Sequence, residues 1–158
     1  MLGFADTVDR TIDDYFARCA RFAYFLIFEA GTRLIRRSPV GMPEAWKKKP
    51  PANYVPGQFA SNWNLGIGTA DPTVTTATSI RTINGMDRFP ADPFGMRFVL
   101  SNSSPQALRL EIDGWSRQAP DGMVRLTGLE GDQMHRIAGE RSMAVSGPRE
   151  MHRGGYGR

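Results

Sequence analysis

Few side chains in this sequence are equipped for catalysis. Its 158 residues include two histidines, His135 and His152, and one cysteine, Cys19. Zinc sites need spaced Cys, His and carboxylate ligands, and neither an HExxH pair nor any paired Cys/His spacing occurs. The GxSxG elbow that would expose a nucleophilic serine is also missing. Cys19 lies inside an apolar helical pattern with no base near it in sequence, so it reads as a buried structural thiol. Gly66-Ile67-Gly68 resembles a fragment of a dinucleotide loop. Thr-Ala-Asp-Pro follows, however, where a further glycine and a helix would be required, and the lysine of a phosphate-binding loop is absent. Glu111 and Asp113 come nearest to an acid/base pair. Two apart, beside Arg109 and Arg117, they read as solvated or ion-paired. No metal, no cofactor and no enzymatic activity are expected.

The residues suited to binding are better represented. Lysine and arginine number 20 against 16 acidic residues, a net charge of +4, which favours nucleic acid or an acidic protein surface only weakly. Trp46 precedes Lys47, Lys48 and Lys49, and Tyr54 follows in the same loop; an aromatic beside a basic run is the chemistry of single-stranded nucleic-acid binding. The same run also reads as plain solvated surface. Arg149, Arg153, Tyr156 and Arg158 form a second basic, aromatic-bearing stretch. The stretch GWSRQAPDGMV, residues 114–124, concentrates a tryptophan, a proline and two glycines between two ordered elements. Trp115 is expected to anchor this loop in the core or in a subunit contact. Pro120 and Gly122 shape the turn, Asp121 caps a helix starting near Met123, and Arg117 reaches out to a neighbour. Trp46, Lys47, Lys48, Lys49, Tyr54, Trp115, Arg117 and Pro120 are therefore the candidate interface residues.

The elements that must position them are legible in part. Phe4, Val8, Ile12, Phe16, Cys19, Ala23, Leu26, Ala30 and Leu34 recur every three or four residues, which predicts one long helix over 5–37 with a continuous apolar face. Asp6 or Thr7 suits its start, Arg33, Arg36 and Arg37 suit its end, and Ser38-Pro39 stops it. Phe22–Phe28 is very apolar but far shorter than the roughly 20 residues a membrane span needs. Acidic residues precede it where an export signal would be basic, so neither a membrane location nor export is expected. Residues 39–57 hold five prolines and form a long loop. Residues 58–68 read as a strand, Thr73–Ile83 as a second strand or an exposed ribbon, Asn84-Gly85 as a turn, and Met96–Leu100 as a strand. A short helix follows Ser104-Pro105. A C-terminal helix over Met123–Ala138 is weakened by Gly128 and Gly131. From Gly139 the periodicity ends in a Gly- and Arg-rich basic tail, expected to be flexible or ordered only by a partner. The sum is an α+β domain over residues 1–138, with an N-terminal and a C-terminal helix packed on a small, mainly antiparallel sheet of three or four strands.

Two segments resemble a known family. In residues 38–68, Ser38-Pro39-Val40 ends the long helix, a Pro/Gly-rich loop carries Trp46 and Tyr54, and Gly57 precedes a strand with Asn62-Trp63. In residues 100–127 a strand is followed by Asn102, Pro105, Glu111, Gly114-Trp115-Ser116, Gln118-Ala119-Pro120 and Gly122-Met123; Gln106 stands where the family has an aromatic. The pattern is similar to the tail-completion or neck proteins of tailed bacteriophages, the lambda Z-like minor head–tail joining group, over residues 5–138. The resemblance implies a structural virion protein without enzymatic activity, assembled in the host cytoplasm and found in the neck. It would form a homo-oligomeric ring, often a hexamer, against the head–tail connector or stopper and the tail terminator or tail tube proteins. The lysine loop would face DNA in the lumen, portal-side proteins or the neighbouring subunit. Two alternatives remain open on sequence: a tail terminator capping the tail tube, and a small basic DNA-binding protein.

Overall fold

A computed structural model describes residues 3–41, 55–78, 82–113 and 116–144. The chain is α+β: a long N-terminal helix, a two-stranded antiparallel sheet, and helices at the C-terminal end. Helix α1 spans Phe4–Arg37, within a residue of the expected bounds. Its start is closed by Asp6, which accepts the Gly3 N–H at 3.0 Å. Its end is fixed by Ser38, whose Oγ donates to Leu34 O at 2.7 Å and accepts the Trp63 indole Nε1–H at 2.8 Å. The Ser-Pro stop and the Asn-Trp strand start, 25 residues apart, are thus one buried joint.

Strand β1 (Trp63–Ile67) pairs with β2 (Phe98–Asn102) in a register that sets Leu65 opposite Leu100. A single turn of 3-10 helix, Ala60–Asn62, leads into β1. Among the described residues the sheet has two strands rather than the three or four expected. Residues 71–78 run as an extended ribbon beside β1, and only Asn84 makes a backbone bridge to it, on the edge away from β2. Side chains hold the ribbon instead. Asn62 accepts the Thr75 N–H at 2.6 Å and donates to Thr75 O at 3.0 Å, and Asn64 donates to Thr73 O at 2.7 Å. An amide side chain offers a donor and an acceptor, as a backbone does, so two buried asparagines replace a strand's ladder. Asn84 ties the set together by donating to Asn64 Oδ1 at 2.8 Å and to Ser61 O at 3.0 Å.

The C-terminal half differs from the single helix expected over Met123–Ala138. After α2 (Ala107–Ile112), the chain forms α3 (Val124–Leu129) and α4 (Gly131–Ala144), so helix continues past Gly139. The break falls at Glu130, whose carboxylate is bound by both Arg33 and Arg37 of α1. Burial pushes the Glu130 carboxyl pKa up, but the hydrogen bonds and charges of Arg37 and Arg33 outweigh it and hold it below the usual glutamate value. At the other end of α4, Arg141 pairs with Glu29 at 2.9 Å, and the buried Arg21 donates from Nε to Ser142 O at 3.0 Å. These four arginines lock α4 along the C-terminal half of α1.

The core lies where α1, β1 and the helices meet, and gathers Tyr24, Phe25, Leu34, Phe59, Trp63, Leu65, Ile83, Met86, Phe89, Met123 and Ala138. Gly31 lets Ile83 press against the α1 backbone: a Cβ there would stand 1.7 Å from Ile83 Cδ1. The apolar stripe of α1 is therefore used unevenly. Leu34 is buried and Ala23, Leu26 and Ala30 are half-buried, while Phe4, Val8, Ile12 and Phe16 are exposed. The first four turns of α1 are thus exposed, and the helix packs on the domain through its C-terminal part.

Candidate interaction surface

The exposed part of α1 is the most conspicuous surface. Every residue from 3 to 16 is exposed, and the stripe includes Phe4 at 87%, Tyr15 at 64% and Phe16 at 48%. A monomer rarely leaves so much contiguous apolar surface in water. Phe16 stands at the root of this arm, edge-on to Phe94 with ring centroids 5.2 Å apart. Together with Ala17, Ala20, Ala91 and Asp92 they line a shallow hollow of about 450 Å³. Cys19, expected to be buried, is half-buried at the same root. Its hydrogen bond to Tyr15 raises the phenol pKa above its ordinary value.

The loop singled out in the sequence is built differently. Residues 116–122 fold back through Ala119 N–H to Ser116 O at 3.1 Å and Gly122 N–H to Ala119 O at 3.3 Å. Ala119 and Met123 are buried, while Arg117 and Pro120 are exposed. The helix cap is not Asp121, which is exposed. The carboxylate of Glu111, at the end of α2, accepts the N–H groups of Met123 at 2.7 Å, Val124 at 3.0 Å and Arg125 at 3.0 Å. Those are the donors a helix start leaves without partners, and an anion suits the positive end of the helix dipole. Gly122 has φ +77°, and a Cβ there would meet the Glu111 carboxylate at 2.6 Å. Glu111 is therefore a structural clasp, and Asp113 stays solvent-facing at the end of α2.

This clasp sets a second apolar surface beside basic residues. Leu108 and Ile112, one turn apart on α2, are 69% and 71% exposed. Val124, whose N–H is bound by the intervening Glu111 carboxylate, is exposed too. Arg117 and Arg125, which flank the start of α3 in the chain, are exposed as well.

Other sequence candidates resolve into structure. Gly66 and Ile67 end strand β1, and the chain bends at Gly68-Thr69 so closely that a Cβ on Gly66 would lie 2.0 Å from Thr69 O. His135 is exposed on α4, its Nδ1 2.8 Å from Gly131 O. Trp46, Lys47, Lys48, Lys49, Tyr54, Trp115 and His152 lie outside the described residues. Among the described residues there is no cluster of three or more His, Cys, Asp or Glu that could hold a metal, and no helix long and apolar enough to cross a membrane.

Sequence reasoning missed the arm and the asparagine set. The arm had a signal: Asp6, Asp9, Arg10, Asp13, Asp14 and Arg18 crowd the first half of α1, whereas no charge falls within Phe22–Phe28. The asparagines had none, because a buried Asn and a turn Asn read alike. No family model, curated protein or solved structure matches this chain.

Proposed function

We propose that this chain is a structural neck component of a tailed bacteriophage, a tail-completion protein that joins the head connector to the tail by forming a ring, with six copies as the resembled family suggests. It acts by assembly, not catalysis. The observation that carries this reading is the arm: four turns of α1 expose Phe4, Val8, Ile12 and Phe16 beyond the domain, on a surface unlike the exposed α2–α3 edge. Two unlike adhesive surfaces make head-to-tail contacts, and such contacts close into rings when the rotation per subunit allows. The residue pattern over 38–68 and 100–127 supports the same reading, as does the exposure of Arg117 and Pro120.

Imaging of assembled virions tests it. The expected result is density for this chain as a ring between the connector and the tail. A neck without the chain overturns the proposal, and a ring seated directly on the last layer of tube subunits makes it a tail terminator. The DNA-binding alternative is favoured instead by an affinity for DNA that falls steeply with salt and is lost when Lys47, Lys48 and Lys49 are replaced.

A further inference from the structure

We infer that Asn84-Gly85 is a deamidation site, closed while the buried asparagine set is intact and opened when that set parts, and that a chain altered there cannot rebuild the set. The inference stands whatever the chain assembles with. Three observations carry it.

The first is the sequence. Asn84 is the asparagine that a glycine follows; Asn53, Asn62, Asn64 and Asn102 precede tyrosine, tryptophan, leucine and serine. Asparagine is among the side chains that heat alters chemically. The reaction needs the backbone nitrogen of the next residue to reach the side-chain Cγ, and glycine, without a Cβ, shields its nitrogen least and turns most freely. Gly85 N gives up its proton to water and bonds to Asn84 Cγ, the Cγ–Nδ2 bond breaks, and ammonia leaves. Water then opens the cyclic imide. Attack at Cγ gives aspartate; attack at the main-chain carbonyl gives isoaspartate, with the chain rerouted through the side chain. Water is taken up and ammonia released, with no change of oxidation state.

The second is the hold on the electrophile. Asn84 Nδ2 donates to Asn64 Oδ1 at 2.8 Å and to Ser61 O at 3.0 Å. Its backbone N–H donates to Trp63 O at 3.0 Å, and its C=O accepts the Leu65 N–H at 2.8 Å. Side chain and backbone are both fixed against β1, so Cγ cannot swing onto the next nitrogen. Gly85, at φ +87°, has no partner for its N–H among the described residues. The nucleophile is unengaged and the electrophile is pinned, so the rate follows how often the pins open.

The third is what the product meets. An ionised carboxylate only accepts hydrogen bonds. At position 84 it faces the oxygens of Asn64 and Ser61, both of which are buried residues. Asn64 satisfies it only by turning its own Nδ2 toward it, and that nitrogen is the donor to Thr73 O at 2.7 Å. Deamidation therefore loosens the ribbon at 71–78. Isoaspartate goes further, because it sets an extra carbon between the groups that bond Trp63 and Leu65.

Incubation of the full chain at mildly alkaline pH, with and without denaturing urea, tests the site. Trypsin cuts after Arg81 and Arg88, so mass spectrometry reads Asn84 in a single peptide. Deamidation there is expected at least about tenfold slower in the folded chain than in urea. It should rise through sub-denaturing urea before circular dichroism reports unfolding. Chain deamidated in urea and refolded, and separately Asn84→Asp with its helical circular dichroism kept, should be cut by thermolysin within 71–78 about tenfold faster than the untreated parent. If Asn84→Asp does not fold, the rate series on the parent decides. Equal rates with and without urea, a rate that rises only with global unfolding, reaction concentrated at another asparagine, or altered chains digested like the parent overturns the inference.

Discussion

Replacing Glu111 should cost more stability than its place on a half-exposed six-residue helix suggests. Its carboxylate closes the 11-residue connection over 113–123 by accepting three amides at the start of α3. Glu111→Ala removes the helix cap, worth about 1 kcal/mol in typical cases, and a charge at the positive end of the helix dipole, worth about 0.3–1 kcal/mol. The amides of Val124 and Arg125 are exposed and can turn to water. That of Met123 cannot, since Met123 is 1% exposed, and a stranded buried N–H costs about 1–3 kcal/mol. These contributions overlap, so a loss of about 2–3 kcal/mol is expected, or about 5–10 °C in Tm for a domain of this size. Glu111→Gln keeps one acceptor oxygen and loses the charge, and should cost about 1 kcal/mol. Asp121→Ala, at the residue the sequence favours as the cap, should stay within about 0.5 kcal/mol of the parent. Urea unfolding followed by circular dichroism, with unchanged m-values, reads all three. If Glu111→Ala unfolds with the parent, or Asp121→Ala loses as much as Glu111→Ala, the clasp is not what organises residues 113–125.

Gly31→Ala should destabilise by about 1–3 kcal/mol through overpacking against Ile83; in a double-mutant cycle Ile83→Ala should absorb part of that cost, and strict additivity would disprove the contact. Asn62→Ala strands the Thr75 N–H and loses the bond to Gln58 O. A loss of about 2–3 kcal/mol is expected, with limited proteolysis newly cutting within 71–78; an unchanged digestion pattern would show that the asparagines do not hold the ribbon. Asp71 is held at about 2, below its ordinary 3.8, by its hydrogen bonds to Thr73 and then to Arg88. A carboxyl depressed in the folded state stabilises it above the unfolded pKa and loses that contribution as pH falls through the folded one. The gap in Tm between the parent and Asp71→Asn should therefore be full above about pH 4 and shrink toward pH 2; a gap independent of pH would refute the assignment.

Much of the fold was legible along the chain because its signals are local. The apolar spacing from Phe4 to Leu34, the aspartates at one end and arginines at the other, and the Ser38-Pro39 stop are all short-range, and α1 begins and ends within a residue of where they place it. The two strands were visible for the same reason, through the alternation around Trp63 and Leu65 and the run ending at Leu100. The ribbon at 71–78 was ambiguous: β-branched residues favour extension, but extension becomes a strand only if a neighbour offers backbone groups, and here Asn62 and Asn64 offer side chains. The candidate surface was less legible. Arg117 and Pro120 emerge exposed in a loop whose shape depends on Glu111, which the sequence ranks only as a weak acid/base candidate.

By itself, then, the sequence determined where α1 starts and stops and which residues prefer burial. Those properties depend on neighbours within a few positions. Tertiary structure decided which half of the apolar stripe is spent on the core, a choice the sequence marked only through the charges crowding residues 6–18. Helix α4 is held on the C-terminal half of α1 by Arg21, Arg33, Arg37 and Arg141, pairings that span about a hundred residues. A periodicity of three and four is the same whether its face meets a core or open water, so what packs on α1, namely α4, α3 and the start of β1, distinguishes Leu34, buried, from Phe4, exposed.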